Sequence, residues 1–335
     1  MNLKDSKYKN FVLVKEMLQT GDIIKNLDID KITSYAKYVK TKKAFFAGEG
    51  SSRIFPAKNV IYKSKIHNYK EECSTENSTQ SMEYDLKDNT VFAASNSGKT
   101  KEVIMLIRKL KKKGHKAIIG VVANDKTPVM EESNYSYLLS CGKEDAVAAT
   151  KSVVEQALFY DIIFRKTNNM KMPNLKKLGE LATEVMEMKI PKEIIDRLAK
   201  AKMIYYAGRN NGVTEEIVLK TNEITRKKSD FLEGTYAVHG IEEVMDSQDA
   251  MIIIDPFKHE EEKFKDVLIK GVGLDIFAIS TDSTSFTTIK IPEYEDFTNY
   301  LELCLGWNIL VEVGITIGVN LDKTIRARKI GNVLK

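Results

Sequence analysis

Hydrophobic positions fall into two registers along the chain. Short, mainly apolar runs, Ala44-Phe45-Phe46-Ala47, Thr90-Val91-Phe92-Ala93-Ala94, Lys116 to Val122 and Tyr135 to Ser140, end in Gly, Ser, Asn or Cys. Such runs predict strands buried on both faces. Between them lie stretches with helical spacing: Ile54 to about Lys65, Lys101 to Lys113, and about Val147 to Arg165. Residues 8 to 40 also read as helical, through Phe11, Val14, Met17, Ile23, Ile24 and Leu27. The stretch 166 to 180 is polar and reads as a linker. The pattern then restarts. Helix 181 to 200, strand 203 to 207, helix 214 to about 228, strand 250 to 254, helix 258 to 271, strands 275 to 279 and 288 to 291, and helix 297 to 317 follow in turn. Alternating strands and helices predict an α/β fold with parallel sheets flanked by helices. The two halves share one order, which reads as a duplication.

Length and composition set limits on this picture. A chain of 335 residues suits two domains. Lys and Arg (52) nearly balance Asp and Glu (47), and the charges are interspersed. That gives no electrostatic case for nucleic acid. The dense basic run Lys111-Lys112-Lys113 ends a helix, where cations complement the dipole. Cys73, Cys141 and Cys304 form neither a disulfide framework nor a zinc pattern. With only four histidines, in unrelated settings, no metal site is expected. The polar N-terminus is not a signal peptide, and no apolar run reaches membrane-spanning length. A cytoplasmic protein without membrane contact is the expectation.

Ligands of open parallel sheets sit beyond the carboxyl ends of the strands. One loop there is Ser95-Asn96-Ser97-Gly98-Lys99-Thr100. It reads either as an ordinary Ser/Thr cap or as a phosphate cradle at a helix N-terminus. Three hydroxyls around a glycine favour the cradle. It is not a Walker loop, and Gly48-Glu49-Gly50 is not a dinucleotide fingerprint, because Arg53 stands where the third glycine belongs. In the second half, Glu216, Lys220 and Glu223 lie on one helix. Spacing alone reads Lys220 and Glu223 as a surface ion pair. His239, beside Gly240, reads alone as structural.

These residues resemble the sugar isomerase (SIS) domain proteins, and are similar to the isomerase half of glucosamine-6-phosphate synthase and to stand-alone sugar-phosphate deaminases, isomerases and deglycases. The loop Ser95 to Thr100 fits the family's Ser-x-Ser-Gly-x-Thr phosphate loop. Gly48-Glu49-Gly50-Ser51-Ser52 fits its Gly-x-Gly-Ser-Ser turn, and Ser74-Thr75-Glu76 fits a short acidic segment. Gly142-Lys143-Glu144 with Val147-Ala148-Ala149-Thr150-Lys151 fits a segment whose backbone lines the sugar site. Glu216, Lys220 and Glu223, then Tyr236, His239 and Gly240, match the second half. The sequence departs at Glu49, at Ala149 where the family has Ser, at Ile241 where it has Pro, and in Thr324 to Lys329.

The resemblance implies two tandem SIS domains of flavodoxin-like, doubly wound type. It sets residues 1–30 as an N-terminal helical segment, 31–168 as the first domain, 182–325 as the second, and 326–335 as a tail reaching the active site. It implies substrate contacts from Gly50, Ser51, Ser52, Ser95, Asn96, Ser97, Thr100, Val147, Ala149 and Glu216. It implies catalytic roles for Glu223 as the C1–C2 proton base, His239 in ring opening, Lys220 as its partner, and Lys329 at the open-chain carbonyl. The expected activity is an amino-sugar-phosphate deaminase or isomerase, turning glucosamine 6-phosphate into fructose 6-phosphate and ammonia without metal or nucleotide. The alternatives are an aldose–ketose isomerase, a fructosamine-6-phosphate deglycase, and a non-catalytic sensor. A homodimer with a shared site is implied. No glutaminase or helix-turn-helix segment is expected in this chain.

Overall fold

The computed structural model describes residues 1–326 and Val333. The chain folds as two compact units. The first comprises residues 22–179, joined by Arg326 and Val333; the second comprises residues 1–21 and 180–325. The N-terminal stretch is therefore divided, not a segment of its own. It is also not one helix: Val12–Leu18, Thr20–Lys25 and Ile29–Thr33 are short separate helices.

In the first unit, β1 (Lys43–Gly48), β2 (Glu72–Asn77), β3 (Asn89–Ala94), β4 (Ile118–Val122) and β5 (Tyr135–Leu138) form a parallel sheet in the order β2-β1-β3-β4-β5. Successive side chains of a strand point to opposite faces. Phe45, Ala47, Val91 and Ala93 therefore share one face, packed against Val103, Ile104 and Ile107 of helix Lys101–Lys112. On the other face Phe46 stacks on Phe92 at 4.9 Å, and both rings meet Tyr160 and Phe164 of helix Lys151–Thr167. That helix is buried all round from Lys151 to Arg165.

The second unit repeats this plan. Here β6 (Met203–Gly208), β7 (Lys228–Glu233), β8 (Ala250–Ile254), β9 (Asp275–Ser280) and β10 (Thr287–Lys290) pair in parallel, in the order β7-β6-β8-β9-β10. Counted from the first strand of each unit, the two orders are identical. Helix Thr298–Thr316 is buried along most of its length, as helix Lys151–Thr167 is in the first unit.

The strands β2 and β7 were not legible from the hydrophobic pattern. Both are edge strands, and their sequences, Glu-Cys-Ser-Thr-Glu-Asn and Lys-Ser-Asp-Phe-Leu-Glu, are polar and half-exposed. Ser74-Thr75-Glu76, read as a short acidic segment, is part of β2. Three helix spans are also corrected. Residues 147–150 precede helix Lys151–Thr167 and are irregular. The stretch 181–200 divides at Pro191 into Leu175–Glu187 and Lys192–Lys200, because proline cannot continue a helix from within. The stretch 214–228 is helical only through Val213–Lys220, then widens into a π-turn at Thr221–Thr225 and stops at Arg226, whose φ is +59°. No helix among the described residues is long and apolar enough to cross a membrane.

Candidate functional site

The strand order of the first sheet reverses between β1 and β3, and a crevice opens at such a point. Two loops flank it. After β1 the chain turns tightly: a Cβ on Gly48 would lie 2.9 Å from the Ser52 carbonyl oxygen and 3.1 Å from that of Ala94. Gly50 has φ +52°, and Gly50–Ser52 form one short turn. Asn96 N donates to Ser52 Oγ at 3.4 Å, which ties this turn to the loop after β3. Glu49, the acidic departure from the family turn, accepts from Ser78 N at 2.9 Å. Burial raises its pKa, with the Ser78 bond opposing.

The loop after β3 gathers its hydroxyls. Ser95, only 2% exposed, places Oγ 2.7 Å from Thr100 Oγ1 and 3.4 Å from Ser97 Oγ. Thr100 stands at the N-cap of helix Lys101–Lys112, yet its hydroxyl makes no cap bond. The ordinary cap reading therefore fails for Thr100. A chain turn closes through Gly98 N to Ser95 O at 2.9 Å, with Gly98 at φ +66°. The fit is close, since a Cβ there would fall 2.1 Å from Thr127 Oγ1. The arrangement is three hydroxyls on a glycine turn at the start of a twelve-residue helix. A helix N-terminus presents unpaired N–H groups and a positive dipole end, which together suit an anion.

The segment after β5 lies beside this loop. Val147 and Ala149 are partly exposed, while Ala146, Ala148 and Thr150 are buried. Ala148 and its buried neighbours fix the backbone and leave alternate positions facing outward. Glu144, Ser152 and Thr127 were given no role from the sequence, though Glu144 and Ser152 lie in or next to the matched segment. Val333 makes an isolated antiparallel bridge with Thr100. Lys329 lies outside the described residues.

In the second unit the structure joins Glu216, Lys220 and Glu223. Lys220 Nζ lies 3.3 Å from Glu216 Oε1 and 2.8 Å from Glu223 Oε2. Lys220 and Glu216 have no side-chain exposure, and Glu223 has 28%. The surface-pair reading from spacing is thus corrected: this is a buried cluster with one carboxylate partly open. Two features hold it. Helix Val213–Lys220 approaches helix Thr298–Thr316 so closely at Gly306 that a Cβ there would meet Ile217 Cδ1 at 2.3 Å. The π-turn is fastened by the Thr221 hydroxyl, which bonds to Tyr206 Oη and to the Ile217 carbonyl, each at 2.8 Å. Tyr206 and Thr221 carried no signal in the sequence. Burial pulls the Lys220 pKa down, but Glu223 and Glu216 outweigh it and push it up to about 12.

His239 is exposed, after the turn Tyr236–Val238 and before Gly240 at φ +105°. Its Nε2 lies 3.5 Å from Lys263 Nζ. Among the described residues no hydrogen bond or ion pair joins it to Glu216, Lys220 or Glu223. No group of three or more His, Cys, Asp or Glu among those residues is arranged to hold a metal ion.

The chain is 29% identical over 202 residues to a glutamine–fructose-6-phosphate aminotransferase (isomerizing) of Sulfurisphaera tokodaii, covering 58% of this chain and 34% of that protein. The chain spans about a third of the length of the curated relatives it matches. Two solved structures share the fold across nearly all of the chain. A tagatose-6-phosphate ketose/aldose isomerase from Escherichia coli gives a TM-score of 0.80 at 13% identity, covering 97% of this chain and 98% of that one. A glucosamine-6-phosphate deaminase from Thermotoga maritima gives 0.75 at 18% identity, covering 95% and 100%. The SIS domain model matches residues 37–166, the span that holds the glycine turn, the hydroxyl loop and the segment before the buried helix. Over that span the chain is similar to the SIS domain family.

Proposed function

We propose that this chain is a phosphosugar-processing enzyme built from two tandem SIS domains, the second in residues 182–325. The observation that carries the reading is the hydroxyl cluster Ser95–Ser97–Thr100, gathered at a helix start yet not spent on capping it. In this reading Ser95, Ser97 and Thr100 hold the phosphate, with Gly50, Ser51, Ser52, Asn96, Val147 and Ala149 around the sugar. Glu223 moves a proton between C1 and C2 of the open-chain sugar. A carboxylate suited to this work has one face open and a cation nearby to steady developing negative charge on the substrate oxygen. Glu223 has both, through its partial exposure and Lys220. Glu216 is fully buried and holds Lys220 in place. His239 assists ring opening, and Lys329 works at the carbonyl. A homodimer with a shared site belongs to the same proposal.

For an amino sugar phosphate, removal of the C2 proton to an enolamine and reprotonation at C1 leaves an imine at C2. Water hydrolyses that imine to ketose phosphate and ammonia. The favoured substrate is therefore glucosamine 6-phosphate, and the product fructose 6-phosphate. The similarity to the aminotransferase (isomerizing) and the shared fold with a deaminase and a ketose/aldose isomerase support this class of reaction. A buried cation between two carboxylates also favours an enzyme over a sensor, because phosphate binding alone has no use for it. Incubation with glucosamine 6-phosphate is expected to release ammonia and fructose 6-phosphate in equal amounts. Interconversion of another phosphosugar without ammonia would replace deamination by isomerisation. Binding without turnover of any phosphosugar would leave the sensor.

A further inference from the structure

The irregular stretch between β5 and helix Lys151–Thr167 is fastened at both ends by buried carboxylates. Glu155, with no exposure, accepts from Ser140 N at 2.7 Å, Cys141 N at 2.7 Å and Ser140 Oγ at 2.9 Å. Glu144, 1% exposed, accepts from Thr150 N at 2.8 Å, Thr150 Oγ1 at 3.2 Å, Asn96 Nδ2 at 2.7 Å and Ser152 Oγ. Among the described residues these donors to Glu144 are neutral. A buried carboxylate is heavily disfavoured unless its oxygens are satisfied, so this one must hold its four donors in place.

Asn96 is the residue through which that hold reaches the hydroxyl loop. Both hydrogens of its amide are committed, to Glu144 and, at 2.9 Å, to Ser152 Oγ. Its backbone carbonyl accepts from Asn124 Nδ2 at 2.9 Å and from Ala123 N at 3.0 Å, and its N–H reaches Ser52 Oγ. Asn96 therefore has one orientation, set by the Glu144 carboxylate and the Ser152 hydroxyl that itself donates to Glu144. Amide Oδ1 is left buried without a donor, which is the cost of turning the N–H groups toward Glu144.

We propose that Glu144 is a positioning residue that presets the ligand site. Through Asn96 it fixes the loop 95–100, and through Thr150 and Ser152 it fixes the backbone of 147–150, so that the two rims keep one spacing before ligand arrives. Preorganisation of this kind raises affinity by removing the ordering cost of binding. The inference rests on the phosphosugar reading for its effect on ligand, but not for its effect on the loop.

The test uses Glu144→Gln in the full chain, with two readouts. The first is hydrogen exchange without ligand. Residues 95–101 and 144–152 are expected to exchange faster than in the parent protein, while β1 is unchanged. The second is calorimetric titration with glucosamine 6-phosphate, where affinity is expected to fall roughly tenfold or more, the scale set by leaving buried partners unsatisfied. If Glu144→Gln does not fold, Ser152→Ala, which removes one of the same donors, is read in the same two ways and is expected to move both in the same direction. Unchanged exchange across 95–101 in the folded variant overturns the inference. A lowered melting temperature with unchanged exchange and affinity makes Glu144 merely structural, which also overturns it. If the parent binds no phosphosugar but exchange still accelerates, the functional reading fails and the positioning role stands.

Discussion

Lys220→Met removes a charge while keeping most of the stem, so it tests the buried cluster with little change in packing. Two effects compete at Lys220. Desolvation disfavours the ammonium, and the carboxylates 2.8 Å and 3.3 Å away favour it. The carboxylates win, since the pKa rises from 10.5 to about 12. That rise corresponds to about 2 kcal/mol of net stabilisation. Because the folded value is the higher one, this contribution is fully present below pH 10.5 and disappears as pH passes through about 12. Truncation costs more than this net figure, because the carboxylates keep their own desolvation penalty once the cation is gone. Breaking a buried ion pair from one side costs about 3–5 kcal/mol. For a unit of this size each kcal/mol lowers Tm by about 2–4 °C, so a loss of roughly 6–20 °C is expected by scanning calorimetry at neutral pH. The double variant Glu216→Gln with Lys220→Met removes a buried charge of each sign and is expected to recover much of that loss. If Lys220→Met melted within about 1 kcal/mol of the parent, or the double variant no higher than the single one, the cluster would not be held by charge.

Three further outcomes follow from particular residues. Glu223→Gln keeps the shape of a partly exposed side chain and is expected to abolish turnover of glucosamine 6-phosphate while the ligand-induced rise in Tm persists; full turnover would remove Glu223 as the base. Gly98→Ala forces a Cβ onto a φ of +66° and against Thr127 Oγ1, so it is expected to cost about 1–3 kcal/mol and to erase the phosphosugar-dependent Tm shift; a normal shift would show that the loop's backbone shape is not what binds phosphate. Glu302, buried on helix Thr298–Thr316, has its pKa raised by burial to about 8, with Asp255 adding to the rise and Arg209 opposing it. Since its folded pKa is the higher, its stabilising effect is present below pH 4.5 and lost by about pH 8; Glu302→Gln is expected to melt higher than the parent at pH 9 and to flatten this fall, and an unchanged profile would refute the assignment.

Legibility followed burial. The strands β1, β3, β4, β6 and β8 are apolar runs because both faces are covered, and the hydrophobic pattern alone finds them. The edge strands β2 and β7 are covered less, so Ser, Thr, Asp and Glu are tolerated there and the period vanishes. Their existence is a tertiary fact, set by pairing to β1 and β6. The site divides in the same way. The gathering of the Ser95, Ser97 and Thr100 hydroxyls could be anticipated because they lie within six consecutive residues around one glycine. The Lys220 cluster could not be read as buried, since nothing in Glu216-Ile217-Val218-Leu219-Lys220 says which face helix Thr298–Thr316 covers. The π-turn was equally hidden: Thr221 and Thr225 turn their hydroxyls to Ile217 and Thr221 carbonyls, a bond that threonine makes in ordinary helices too.

The repeated strand order makes the difference between the two sheets informative. In the second sheet the loop after β8 corresponds to Ser95–Thr100 by position, and it reads Asp255-Pro256-Phe257-Lys258. Three changes spoil it as an anion cradle. Pro256 has no N–H to offer, and no hydroxyl stands in the loop. Asp255 supplies a negative charge in place of a donor, and burial raises its pKa, against the pull of Arg209. Arg209, the cation that could have met a phosphate, is ion-paired to Asp255 at 2.5 Å and stacked 4.4 Å from the centre of the Phe257 ring. Arg209 is therefore already engaged by the loop after β8 itself. A duplicated fold alone would predict two phosphate sites. Loop chemistry argues for one, in the first unit, and leaves the second unit's distinctive chemistry on helix Val213–Lys220 and the π-turn that follows it. Titration with inorganic phosphate decides the point: one equivalent, abolished by Ser95→Ala with Thr100→Val, is expected. A second equivalent that survives those substitutions and falls with Arg209→Ala would refute it.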